Sequence, residues 1–151
     1  MHSRSLFRRW RVLISVALLP LAAVAGEGYR DGVKVATLLK TSTDAAGQPI
    51  RYPAEVTPEL TTLLVDIPAG QETGWHVHSQ PCVAYVLDGE VAVETAGGKV
   101  RQFKAGDSFA EVVNLAHCGR TVGPKPVKIL LLVIGGQGTP VSQKVEPPPR
   151  P

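Results

Sequence analysis

The sequence predicts an all-β domain closed as a sandwich or barrel. From residue 60 onward, apolar residues gather in short runs rich in Val, Leu and Ile. Gly, Pro and Asp punctuate those runs at short intervals, as the turns of an antiparallel fold require. No stretch beyond the N-terminal leader carries a convincing 3.6-residue apolar period, and no segment repeats.

The elements follow in order. Residues 60–67 read as a compact apolar strand with Thr61 and Thr62 near its start, and residues 75–78 as a short alternating piece. Residues 83–87 are apolar and run into Asp88-Gly89, a strong hairpin signal, with residues 90–95 as the expected partner strand. Gly97-Gly98 makes the next turn before a strand at 99–103. Ala105-Gly106-Asp107 turns the chain into 108–113, and 117–122 follows, ending at Gly123-Pro124. The run at 127–134 suits a strand buried on both faces. Residues 26–58 mix short apolar pieces such as 33–39 with a polar loop near 44–48. One or two strands are expected there, packing on the barrel or on a second subunit. Gly135-Gly136-Gln137-Gly138 follows a strand, but no helix opens after it, so it is not a phosphate loop.

The leader sets the expected compartment. Arg4, Arg8, Arg9 and Arg11 precede an uncharged, mostly apolar stretch from Val12 to Ala25, which closes on the small-x-small pattern Ala23-Val24-Ala25. This reads as a secretory signal peptide cleaved after Ala25, giving a periplasmic or secreted protein. The stretch of 14 residues is short of the roughly 20 that span a bilayer. No stable membrane insertion is therefore expected after cleavage. Arg8-Arg9 makes a weak twin-arginine signal, because Trp10 and Arg11 fit it poorly. The expected organisation is a signal peptide at 1–25, one domain at 26–140 and a Pro-rich disordered tail at 141–151. Pro147, Pro148, Pro149 and Pro151 favour polyproline II or disorder in that tail.

The mature chain of 126 residues is large enough for one core. The net charge of +3 belongs to the leader: without it, 12 basic residues face 13 acidic ones. With no basic cluster interleaved with aromatics, nucleic-acid binding is not expected. Cys82 and Cys118 would meet an oxidising compartment, where a disulfide could form.

The mature chain keeps three of the four histidines: His76, His78 and His117. His76 and His78 are two apart, so on a strand they share a face. A residue used so sparingly, at ligand-like spacing, points to a single metal site, because neutral imidazole is the commonest protein ligand for divalent transition metals.

Gly70, His76, His78 and Gly89 stand at spacings that resemble the first cupin motif, with Cys82 where that family carries Glu. Gly106 and His117 hold the frame of the second motif. There Val112 replaces the family's Pro, Asn114 its Gly and Thr121 its Asn. Asn tolerates positive φ better than other non-glycine residues, so Asn114 is a mild departure. The resemblance covers about residues 60–134 and looks like a small single-domain cupin, a double-stranded β-helix or jelly-roll barrel.

The resemblance implies that His76, His78 and His117 converge from neighbouring strands on one divalent transition metal in the barrel mouth. Without the carboxylate the site is similar to the three-histidine cupin dioxygenases that use Fe²⁺. Fe²⁺ is therefore favoured, with Zn²⁺, Mn²⁺, Ni²⁺ or Cu²⁺ as alternatives. Ala84 and Val86, which share the parity of Cys82, are expected to line the pocket, with Val83, Tyr85 and Leu87 on the other face. Three readings of Cys82 stand open: a thiolate ligand, a bridge to Cys118, or a small buried apolar residue, the last ranked first. Alternation argues against the bridge, because Cys118 should face away from the site. Glu72 and Glu111 stand near the motifs, either orienting imidazoles or as solvated turn and strand residues.

The resemblance also implies a homodimer that pairs through part of residues 28–50. The partner implied by the pocket is a small-molecule substrate or ligand. Two function classes follow: a metal-dependent oxygenase, or a non-catalytic cupin that captures or senses a small ligand or metal. No catalytic residue beyond the ligands can be named.

Overall fold

The computed structural model describes residues 33–52 and 54–149. The expected signal peptide lies outside them. The chain divides into two compact units, Met1–Thr37 and Leu38–Pro151, and the second holds every strand found among the described residues.

Those strands are β1 (Pro58–Ile67), β2 (His76–Val77), β3 (Cys82–Asp88), β4 (Glu90–Thr95), β5 (Val100–Lys104), β6 (Ser108–Ala110), β7 (His117–Thr121), β8 (Val127–Gly136) and β9 (Gln143–Lys144). The described residues contain no helix. The strands form two antiparallel sheets, ordered β1-β8-β3-β6 and β5-β4-β7-β2-β9. This is the jelly-roll arrangement that the resemblance implies. Between the sheets lies one core to which both contribute: Ala84, Val86, Ile129 and Leu131 from the first, Val91, Val93 and Phe103 from the second. Phe109 of β6 stacks on Phe103 of β5 with ring centroids 3.8 Å apart, joining the layers at one end.

Every strand expected from residue 60 onward is present, with bounds shifted by a few residues. Gly97 and Gly98 turn β4 into its hairpin partner β5 with φ of 104° and 81°. Asn114 takes φ 57°, the left-handed conformation its place in the second motif suggested.

Four expectations are corrected. Asp88-Gly89 does not close a hairpin, because β3 and β4 belong to different sheets. The ladder of β3 slips between Val86 and Asp88, and the chain leaves the sheet there. An Asp-Gly pair supplies the left-handed bend, and the bend serves a crossover as well as a hairpin. Strand β8 is buried on one face only: Ile129, Leu131 and Val133 point inward, while Leu130 stays 40% exposed. Its apolar outer face continues onto β1, where Leu60 and Leu64 are exposed.

Residues 38–52 hold no strand, only a Thr43–Pro49 bridge. Asp44 builds that loop: one carboxylate oxygen accepts from the Ala46 and Gln48 amides, and the other from Val113. Lastly, the segment read as the start of a disordered tail contributes β9, which pairs with β2 through His76–Lys144 and Val77–Gln143.

Candidate metal centre

The jelly-roll places the three histidines by simple strand geometry. His76 and His117 face each other directly across the β2–β7 ladder. His78 lies two residues beyond His76, just past β2, where a parallel bridge to Val113 fixes it. Alternation keeps His76 and His78 on one face, and cross-strand pairing brings in His117. One potential ligand atom from each ring lies within 4.8 Å of the other two. Ring centroids are 4.4 to 5.1 Å apart. His78 and His117 are buried, and His76 is half-buried.

Backbone carbonyls orient all three rings. His76 Nδ1 lies 2.9 Å from Gly74 O, His117 Nδ1 lies 2.9 Å from Leu115 O, and His78 Nδ1 lies 2.8 Å from Val141 O. A carbonyl only accepts, so each Nδ1 carries the hydrogen and each Nε2 keeps its lone pair. Metal-binding histidines are held in this way. His117 Nε2 is buried with no hydrogen-bond partner. Burial pushes His117 down to about 4 and lowers His78 as well, so both are neutral near pH 7. The donor set therefore fits a divalent transition metal: three imidazoles whose Nδ1 atoms are engaged and whose Nε2 lone pairs are free.

The rings open into a cavity of about 320 Å³. Its walls are mostly apolar, from Leu63 and Val65 of β1, Val91 and Val93 of β4, and Ile129 and Leu131 of β8. Ala84 and Val86 do not line it, contrary to expectation. Both are fully buried, and their ladder partners on β8, Leu131 and Ile129, reach the cavity instead.

Glu111 enters the same cavity. Its Oε2 lies 3.7 Å from His117 Nε2, and neither atom has a hydrogen-bond partner. Burial pushes this carboxyl up to about 7. Glu111 thus meets the Nε2 side of a ring; of the two readings open for the glutamates, the orienting one falls to the carbonyls, and Glu111 is not a solvated strand residue either. Glu72 is placed elsewhere: its backbone bridges to Arg120, and it shares a different surface pocket with Cys118.

Both cysteines are free and buried. Cys82 donates to Gln80 O at 3.3 Å, and burial pushes its thiol up to about 12, helped by the Glu111 charge. It behaves as a small core residue within the apolar cluster. Cys118 lies against Thr73, 3.9 Å from its hydroxyl.

Sequence reasoning missed the three carbonyls. Two of them sit two residues before the histidine they hold, a Gly74–His76 and Leu115–His117 regularity that the sequence could have suggested. The third comes from Val141, 63 residues beyond His78, and left no local signal.

The cupin domain profile matches residues 63–134. The chain is similar to a cupin-like protein from Thermotoga maritima, with TM-score 0.52 and 19% identity over 57% of this chain and 64% of the other. It is also similar to the oxalate decarboxylase of Lactobacillus farciminis, with TM-score 0.51 and 18% identity over 57% of this chain and 26% of that one. For the DMSP lyase DddQ from Ruegeria pomeroyi the TM-score is 0.50 and the identity 24%, over 65% and 46% of the two chains. The chain spans less than two thirds of the length of each of these structures, and the likeness is one of fold. None of the curated proteins matches the chain significantly. Within the unit Leu38–Pro151, two sheets closed over an interior histidine cluster define a small β-barrel of the jelly-roll class. Residues 63–134 match the cupin domain, and the fold around them is that of a small cupin.

Proposed function

We propose that the protein is a periplasmic, metal-dependent oxygenase of a small molecule, holding one divalent ion through His76, His78 and His117. The observation that carries this reading is the shared tautomer. Three carbonyl contacts leave three Nε2 lone pairs facing one mostly apolar cavity. Three protein donors leave coordination positions open, the mark of a catalytic rather than a structural site. An Fe²⁺ ion bound there would supply dioxygen activation or polarisation of a chelating substrate. The chain's own part is to keep the imidazoles aimed, and to keep bulk water from the substrate with Leu63, Val65, Ile129 and Leu131.

The basic, then apolar, leader supports export to the periplasm. A homodimer is part of the proposal, with residues 28–50 contributing. The exposed Leu60, Leu64 and Leu130 support association, because an apolar sheet face gains by being covered.

One preparation tests all of this. The full-length gene product, expressed and recovered from the periplasmic fraction, should carry about one iron per chain. It should show twice the monomer mass by light scattering and consume oxygen with a member of a panel of small oxidisable compounds. Tightly held zinc without oxygen uptake would replace this reading with the non-catalytic binding one. A monomer at micromolar concentration would remove the dimer.

A further inference from the structure

We infer that Glu111 is a fourth ligand of the metal centre, so that the carboxylate absent from position 82 reaches the ion from the second motif instead. The inference rests on the three-histidine reading above and adds a residue that the motif frame does not contain.

Glu111 Oε2 and His117 Nε2 are the two side-chain polar atoms buried without a hydrogen-bond partner among the described residues, and they lie 3.7 Å apart. That is too long for a hydrogen bond. It is close to the roughly 3 to 3.5 Å that separates two donors on one ion when each bond is near 2.1 Å; the carboxylate stands just outside the cluster of His76, His78 and His117, and a turn of its side chain brings it onto the ion. Lys144 lines the same cavity yet forms no ion pair with it. A buried carboxylate left without a partner is costly, and a cation is the partner that removes the cost.

Strand geometry explains how the residue gets there. Phe109 and Glu111 are two apart, and both line the cavity, so the alternation of β6 carries past its last residue. Glu111 N donates to Cys82 O, which places the two residues side by side. Position 111 therefore sits next to the position where the family's Glu stands, on the neighbouring strand. A carboxylate can leave one strand and be recovered from the next while the ion stays in place. Cys82 is then free to be an apolar core residue with a protonated thiol.

The chemical consequence is a harder site. Three imidazoles and a carboxylate lower the net charge around the ion and favour Mn²⁺ and Fe²⁺ more than imidazoles alone do.

The test uses metal-free full-length protein, Mn²⁺ followed by electron paramagnetic resonance, and Co²⁺ followed by its visible d–d bands. Wild type should bind one Mn²⁺ per chain. Glu111→Gln, which keeps the shape and removes the charge, should bind it more than about tenfold more weakly, with a changed Co²⁺ spectrum. Glu111→Leu guards against misfolding. Replacing an unpaired buried carboxyl by an apolar side chain should leave the metal-free melting temperature equal or higher. Mn²⁺ should then no longer raise it as it does in wild type. Unchanged Mn²⁺ affinity and an unchanged Co²⁺ spectrum in Glu111→Gln would overturn the Glu111 assignment and leave the histidine reading standing. Failure of wild type to bind either ion would overturn both.

Discussion

Gly89→Ala should destabilise the domain by about 3 kcal/mol, among the larger losses expected of any single substitution in this fold. Two penalties combine. Gly89 has φ 78°, where an alanine is strained by about 1 kcal/mol or more. A Cβ there would also stand 2.3 Å from the carbonyl oxygen of Pro126 and 3.1 Å from its carbonyl carbon. These are backbone atoms, so no side-chain rotation relieves the clash. The chain at Pro126 would have to shift, and it leads directly into Val127 of β8, which pairs with both β1 and β3. Gly97→Ala is the control. Its φ of 104° is equally unfavourable, but nothing lies within 4 Å of the added Cβ. It should cost only the conformational part, about 1 kcal/mol. Chemical denaturation of the two variants beside wild type measures the difference. Equal losses at Gly89 and Gly97 would mean that the close approach of the crossover to Pro126 does not exist in solution.

Gly89 also shows where the sequence stops being informative. Asp88-Gly89 announces a left-handed bend correctly, yet the same bend serves a hairpin and a crossover. Which one forms depends on the core partners of the next strand, Val91 and Val93, and they belong to the other sheet. The histidine site was more legible. The two-residue spacing of His76 and His78 and the motif frame of His117 are local or near-local facts, and strand geometry converts them directly into proximity. Asn114 was legible for the same reason, because a positive φ is written in one residue's identity. The closure of the site by residues 141–144 was not legible. That short segment lies before a proline-rich end, and only its pairing with β2 makes it a strand. The cavity walls were misread because parity gives a direction and not a reach. Ala84 points inward, but its neighbour Leu131 is longer and occupies the surface of the cavity. Glu72 and Glu111 look alike in sequence, each close to a motif. Only the fold separates the one on an outer bridge from the one beside His117.

His78→Ala should abolish stoichiometric metal binding, the largest functional effect expected of one substitution here. Its ring is buried and aimed by the Val141 carbonyl, so it reaches the site with its freedom already lost. A donor of that kind adds affinity at little further entropic cost. Its loss also leaves Val141 O without that partner, where the chain approaches β9. The metal-free variant should therefore be less stable by about 1 kcal/mol, from the lost hydrogen bond alone. The two effects separate cleanly in thermal melts. In wild type, metal at a hundredfold excess over its dissociation constant should add about 2.7 kcal/mol of stability. In His78→Ala the metal-free melt should fall slightly, and the metal-dependent rise should vanish. Should the rise persist, or should the double variant His76→Ala/His117→Ala still carry one ion per chain, the ion is held elsewhere. The shared tautomer of the three rings would then be a consequence of packing alone.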